Sequence, residues 1–254
     1  MPKISIVVMF HDPKNQEYLD LCLRSLNYQD VDKEVILVDS SIDGHKSEAY
    51  PWLKTVKVDN STNSAVAGNI GFRNASSASK YFLFANDDTI FTVGSVAELM
   101  GAMGENRCIM NAFSNCDTEW LHWREMSLYN EGKSLVLPRF FDMNLVRGFE
   151  QQLIEYPLEK RTVIPVPYVC FYATIMPQSV WWDVGQLDEN FESGPDDRDF
   201  CMRAAKLGIP SMINLGPTIW HFGGTTVNSG ESEHVKQRRL KNAKYFYEKH
   251  GVHQ

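Results

Sequence analysis

YFLFANDD, residues 81–88, joins five apolar residues to an amide and two carboxylates without a break. Residues 81–85 read as a strand buried on both faces, and Asn86, Asp87 and Asp88 fall at its carboxyl end. In an open parallel sheet, ligands collect in the crevice beyond that end of the strands. Toward the N-terminus the pattern recurs. ISIVVMF (4–10) is a continuous β-rich run followed by His11 and Asp12, and EVILVD (34–39) ends on Asp39 before Ser40 and Ser41. Residues 17–26 place Leu19, Cys22, Leu23 and Leu26 at helical spacing, 55–58 form a short strand, and 66–77 a helix of small residues. Strand and helix alternate, which predicts right-handed crossovers and a doubly wound, mostly parallel α/β sheet flanked by helices, Rossmann-like in plan.

The second half is less regular. Residues 113–167 mix aromatics, charges and short apolar runs without a clean period, so an irregular, partly helical region is expected. Order returns at Val169. DDRDFCMRAAKL (196–207) reads as a helix, with acids in its first turn and Gly208 just past its end. A strand at 209–215 and a basic helix at 233–250 follow. No repeat, low-complexity tract or Gly/Pro/Ser linker divides the chain, so one domain over 1–254 is expected.

Composition narrows the classes. With 254 residues, 43% hydrophobic and 22% charged, the chain has enough apolar residues for a substantial core. A formal net charge of −7 argues against a dedicated nucleic-acid binder, while leaving room for a local basic patch. The five cysteines are scattered with no Cys-x-x-Cys pair, as for reduced thiols in the cytosol. The N-terminal apolar run is too short for a signal peptide, and no stretch approaches the roughly 20 apolar residues that span a bilayer. The expected location is the cytoplasm, free or docked reversibly on a membrane.

Three polar clusters follow apolar strands: His11-Asp12, Asp39-Ser40-Ser41 and Asn86-Asp87-Asp88. All three should face one crevice. Asp39 suits a ribose or nucleobase, and equally suits the start of a turn. Asp87 and Asp88 offer hard oxygen ligands for Mg²⁺ or Mn²⁺, and equally could form a turn. Neither a G-x-x-x-x-G-K-[ST] loop nor a G-x-G-x-x-G turn is present, so a nucleotide here would need a metal for its pyrophosphate.

These residues resemble the inverting glycosyltransferases of family 2, a group with the GT-A fold, over residues 4–224. ISIVVMFHDP, EVILVDSSIDG, NSAVAGNIGFRNAS, FLFANDDT, MPQSVWWDVGQLDENF, SGPDDRDFCMRAAKLG and IWHFGG follow the order of the family's segments. FLFANDDT stands in the place of the D-x-D metal motif, and SGPDDRDF in that of the acidic E-D-x-D helix. The resemblance includes rhamnosyl-, galactofuranosyl- and glucosyl-type transferases. It departs from the common pattern at Asn86 and Ser40, where relatives often carry Asp, and in VCFYAT, which lacks a small Gly and puts Phe171 or Tyr172 at the pocket.

The resemblance implies a division of labour. The first half, about 1–112, would bind a nucleotide-sugar, UDP- or dTDP-linked, through His11, Asp39, Asn69, Asn86 and Asp87. Asp88 and His221 would hold Mn²⁺ or Mg²⁺, the Lewis acid for the leaving diphosphate. In the second half, about 113–254, Asp197 would be the general base for the acceptor hydroxyl, with Asp196 and Trp182 on the acceptor side and Asp199 as an anchor. The acceptor would be a glycan, a lipid-linked molecule or another hydroxyl compound. Lys236, Arg238, Arg239, Lys241, Lys244 and Lys249 read first as a solvated helix face, leaving a nucleic-acid acceptor or an anionic membrane open. Trp120, His122 and Trp123 read first as core or lid packing. Two alternatives stand beside this one. A sugar nucleotidyltransferase should show a Gly-rich basic turn after its first strand, which MFHDPKN lacks, and a non-catalytic binding module should have lost an acid at the base or metal position.

Overall fold

The structure is a computed structural model that describes residues 3–114, 163–192, 194–222 and 233–251. The aromatic residues Trp120, His122 and Trp123, and nearly all of the irregular region, lie outside these.

The first half follows the alternation in the sequence. Strand β1 (Ile4–Phe10) leads through a 3₁₀ turn at Pro13–Asn15 to helix α1 (Gln16–Asn27), and β2 (Lys33–Asp39) to β3 (Leu53–Lys57). Helix α2 (Ser64–Arg73) and β4 (Tyr81–Asn86) come next. Helix α2 begins two residues before the expected start because Asn63 caps it, its Oδ1 accepting from Val66 N at 2.9 Å. It also stops before Ser77, at Arg73.

After β4 the chain forms β5 (Thr89–Phe91), α3 (Ser95–Met103) and β6 (Ile109–Ser114). Beyond residue 162 come β7 (Val163–Val166), β8 (Ala173–Pro177), α4 (Gln178–Val184), α5 (Asp196–Lys206), β9 (Ser211–His221) and α6 (Glu233–His250). The sheet runs β3-β2-β1-β4-β8-β6-β9-β5, with β7 also on β9. Its first four strands are parallel, with α1 crossing from β1 to β2, the helix-free stretch 40–52 from β2 to β3, and α2 from β3 to β4. β8 then lies antiparallel to both β4 and β6, and β5 antiparallel to β9. The sheet is therefore mixed rather than wholly parallel, and β5 to β8 carry no sequence period that announces them.

Both faces are covered. Along β1, Ile4, Ile6, Val8 and Phe10 belong to the apolar cluster that includes Leu19 and Leu23 of α1 and Leu99 of α3. Val7 turns to the other cluster, with Phe72, Trp181 and Phe200 from α2, α4 and α5. The period-2 alternation of the strand is what divides one unbroken apolar run between two cores. Helix α2 lies so close to the sheet that a Cβ at Gly71 would stand 2.3 Å from Val7 Cγ1, so only glycine fits there.

Candidate active site

Asn86, Asp87 and Asp88 lie at the junction of β4 and β5, at the carboxyl end of the parallel strands as expected. β5 then pairs with the end of β9, Thr89 opposite His221, and Phe222 N donates to Asp88 O at 3.0 Å. This pairing carries His221 to the acids. Its Nε2 stands 3.1 Å from Asp88 Oδ1 and 3.2 Å from Asn86 Nδ2, and its ring stacks on Tyr172 at 4.8 Å. Asp88 and Tyr172 are buried, and His221 nearly so.

One imidazole nitrogen thus faces both an amide and a carboxylate oxygen. The N and O of an amide are a matter of assignment. With Asn86 turned over, three lone-pair atoms face one another, an arrangement completed by a cation. Two cis ligands about 2.1 Å from one ion stand about 3 Å apart, which matches the separation of Asp88 and His221. The residues present therefore fit a divalent metal. Among the described residues no group of three His, Cys, Asp or Glu side chains gathers to enclose an ion, so the pair would leave positions open to a ligand. Asp87 is set apart from its neighbour. Burial, and then the charge of Asp88, raise its carboxyl well above the usual range against a hydrogen bond from Asn15.

Asp196 and Asp197 occupy the first turn of α5. Asp197 accepts from Arg198 N at 2.6 Å and Phe171 N at 3.4 Å, and burial raises its carboxyl despite these bonds and one from Cys170. Burial and the adjacent Asp197 push Asp196 up to about 7. Tyr172 O accepts from Asn86 N at 3.0 Å. The turn at residues 170–172 therefore touches Asp197 with Cys170 and Phe171 and Asn86 with Tyr172, which joins the acid pair to the metal-type pair. Phe171 itself points into the core, against Phe84 and Phe200.

Other expected residues go elsewhere. Asp39 is buried, and its carboxylate serves its own turn: Ser41 N, Ser41 Oγ and His45 N donate to it, and Lys57 Nζ lies 3.3 Å away. Burial opposes its ionisation, yet these bonds hold the carboxyl below the usual range. His11 is exposed, with Nδ1 3.0 Å from Ser40 Oγ, which keeps it beside the Asp39 turn. Asn69 is buried and spends its amide on the protein, accepting from Leu187 N and donating to Leu187 O and Glu189 Oε1. Trp182 is half-exposed and edge-on to Phe82, toward the end of β4 away from Asn86, so the structure does not bring it to the acids.

Asp199 is an anchor, fully buried between Arg203, Lys249 and His250. The basic run of α6 is largely paired within the protein: Arg238 and Lys241 with Glu192, Lys244 with Glu248, Lys249 with Asp188 and Asp199. Asn15, Cys170 and Tyr172 were not placed at these contacts by the sequence, where only the pocket position of Tyr172 in VCFYAT was a signal. Among the described residues no helix is long and apolar enough to cross a membrane.

Comparison with known proteins bears on the fold and the family. The fold is similar to the mannosyltransferase PcManGT from Pyrobaculum calidifontis solved with GDP-Man and Mn²⁺, at TM-score 0.63 and 13% identity, covering 100% of this chain and 65% of that one. It is similar to S. aureus TarS 1-349 in complex with UDP-GlcNAc (TM-score 0.58, 16% identity, 96% and 66% covered). It is also similar to GalNAc-T7 with UDP, GalNAc and Mn²⁺ (0.60, 11%, 97% and 50%). The chain thus spans about two thirds or less of the length of these three. No curated protein matches it. The model of the family described as glycosyl transferase family 2 matches residues 5–184, most of the chain. The chain belongs to glycosyl transferase family 2 and has its GT-A fold.

Proposed function

We propose that the protein transfers a sugar from a nucleoside-diphosphate sugar to an acceptor hydroxyl with inversion, and that Asp197 is the general base. The observation that carries the reading is the 170–172 turn, which ties the half-buried acid pair of α5 to Asn86 beside Asp88 and His221. A reaction that deprotonates a hydroxyl on one side and releases a diphosphate on the other needs those two groups next to each other.

Asp88 and His221 would hold Mn²⁺ or Mg²⁺, with Asn86 as a third contact through its carbonyl oxygen. When bound, the ion supplies counter-charge to the diphosphate. Solved structures of similar fold contain Mn²⁺, with GDP-Man in one and UDP in another. Asp197 accepts the proton of the attacking hydroxyl at a carboxylate oxygen. Burial, which raises its carboxyl, makes the ionised form a stronger base. Asp196 holds a proton near neutrality and so limits the charge placed on the pair. The Asp39 turn shapes the nucleotide side of the crevice, with uridine or thymidine diphosphate as the first donors to test.

One experiment decides the class. The protein is incubated with UDP-, dTDP- and GDP-sugars, with and without Mn²⁺, while nucleoside diphosphate release and sugar transfer are followed. Metal-stimulated release from one donor supports the reading; no release from any, by protein that binds none of the nucleotides, rejects it.

A further inference from the structure

Helix α6 grips the start of α5 on both sides of the acid pair. Asp199, fully buried, accepts from Lys249 Nζ at 2.7 Å and His250 Nε2 at 2.8 Å, both in the last turn of α6. Arg203 Nε adds a third contact from α5 itself at 2.8 Å. Ahead of the helix, Asn242 Nδ2 donates to Gly194 O at 2.8 Å. Between these points, the Arg198 guanidinium lies 5.0 Å from the centre of the Phe246 ring. The arrangement also suits the helix dipoles. Asp199 sits at the positive end of α5, and Lys249 and His250 at the negative end of α6.

We infer that the last turn of α6 positions the base: Lys249 and His250, acting through Asp199, fix where Asp197 stands against the acceptor hydroxyl. This rests on the reading of Asp197 given above. Lys249 and His250 are positioning residues, since their contacts are with Asp188 and Asp199 and not with reacting atoms. A buried carboxylate that loses one of its cationic partners relaxes toward water, and the turn that bears it moves too. A displacement of about 1 Å at a reacting group costs up to roughly 10²-fold in rate.

The test uses the full chain with Lys249→Met, His250→Ala and Lys249→Arg, each compared with wild type at a temperature where circular dichroism shows it folded. The expected result is a fall in kcat for transfer of roughly 10–10²-fold in the first two, with donor KM within about two-fold of wild type. Lys249→Arg, which keeps the charge, should recover most of the loss. If Lys249→Met does not fold, His250→Ala carries the same comparison, because it leaves Asp199 two cationic partners. A kcat within about two-fold of wild type in a folded variant overturns the inference, as does an equal loss of kcat and donor affinity. Asp197→Asn is run alongside. If it transfers normally, the base assignment has failed; if it is inactive while Lys249→Met is fully active, only the role of α6 has failed.

Discussion

His221 Nε2 lies 3.1 Å from Asp88 Oδ1, and the two meet because the last residues of β9 pair with the three-residue strand β5. The contact brings a borderline nitrogen ligand and a hard oxygen ligand to one point. Chelator should therefore abolish transfer and Mn²⁺ or Mg²⁺ should restore it. His221→Ala and Asp88→Ala should each weaken metal-dependent donor binding, measured by calorimetry with and without Mn²⁺. Full activity in excess chelator would exclude the metal role.

Asp197→Asn should reduce transfer by roughly 10²–10⁴-fold while donor affinity stays near wild type. Because burial raises the carboxyl of Asp197, its active ionised form is lost early on acidification. The rate should fall, as pH drops, before the ordinary carboxylate range is reached, because it follows the raised carboxyl of Asp197. A profile that falls only within the ordinary carboxylate range would contradict this.

The pair of Asp196 and Asp197 should cost stability. Asp196 has a folded-state value of about 7, above its unfolded one, so its stabilising effect is complete at low pH and is lost as pH rises through 7. Asp196→Asn removes that dependence. The variant should melt higher than wild type at pH 8, by roughly 2–4 °C for each kcal/mol relieved, and the difference should shrink at pH 4. An unchanged difference across that range would show that the charge is not the cause.

Asp39 behaves in the opposite sense. Its carboxyl is held below the ordinary range, so its contribution is present above the unfolded value of about 3.9 and lost as pH falls through the folded one. Asp39→Ala should lower stability by roughly 1–3 kcal/mol at pH 7, because Ser41 and His45 lose their acceptor. That deficit should disappear in strong acid. Denaturant titrations at pH 7 and pH 2.5 measure both. Because the turn is on the proposed donor side of the site, donor affinity should also fall.

The strand-end acids were legible because a buried parallel strand announces itself locally and its carboxyl end is fixed by topology. The same holds for the acidic helix α5 and for α6, whose composition and flanking residues mark their limits. Asn69 was not legible in this way. Its position in a small-residue helix says nothing of Leu187 and Glu189, which meet it from the other half of the chain. Nor could two adjacent tryptophans in a helix of only 7 residues reveal that Trp181 fills the core while Trp182 lies on the surface. Antiparallel insertion of β8 was hidden for a related reason: strand direction is set by the path of the intervening chain, not by the composition of the strand.

The register of β9 has a consequence for how this site tolerates change in chain length. Opposite β6, Ala112 faces Asn214 and Phe113 faces Thr218, so Leu215, Gly216 and Pro217 form an excursion in β9. A Cβ at Gly216 would stand 2.2 Å from Glu98 Oε1, the end of an exposed side chain that can turn aside. Side chains alternate along a strand, and a shift of one place exchanges the two faces. Deleting one residue of the excursion would bring Phe222 opposite Thr89 and turn His221 to the face that Trp220 now occupies. A one-residue gap remote from the acids would then remove the imidazole from them as thoroughly as its substitution, with every ligand still present in the sequence.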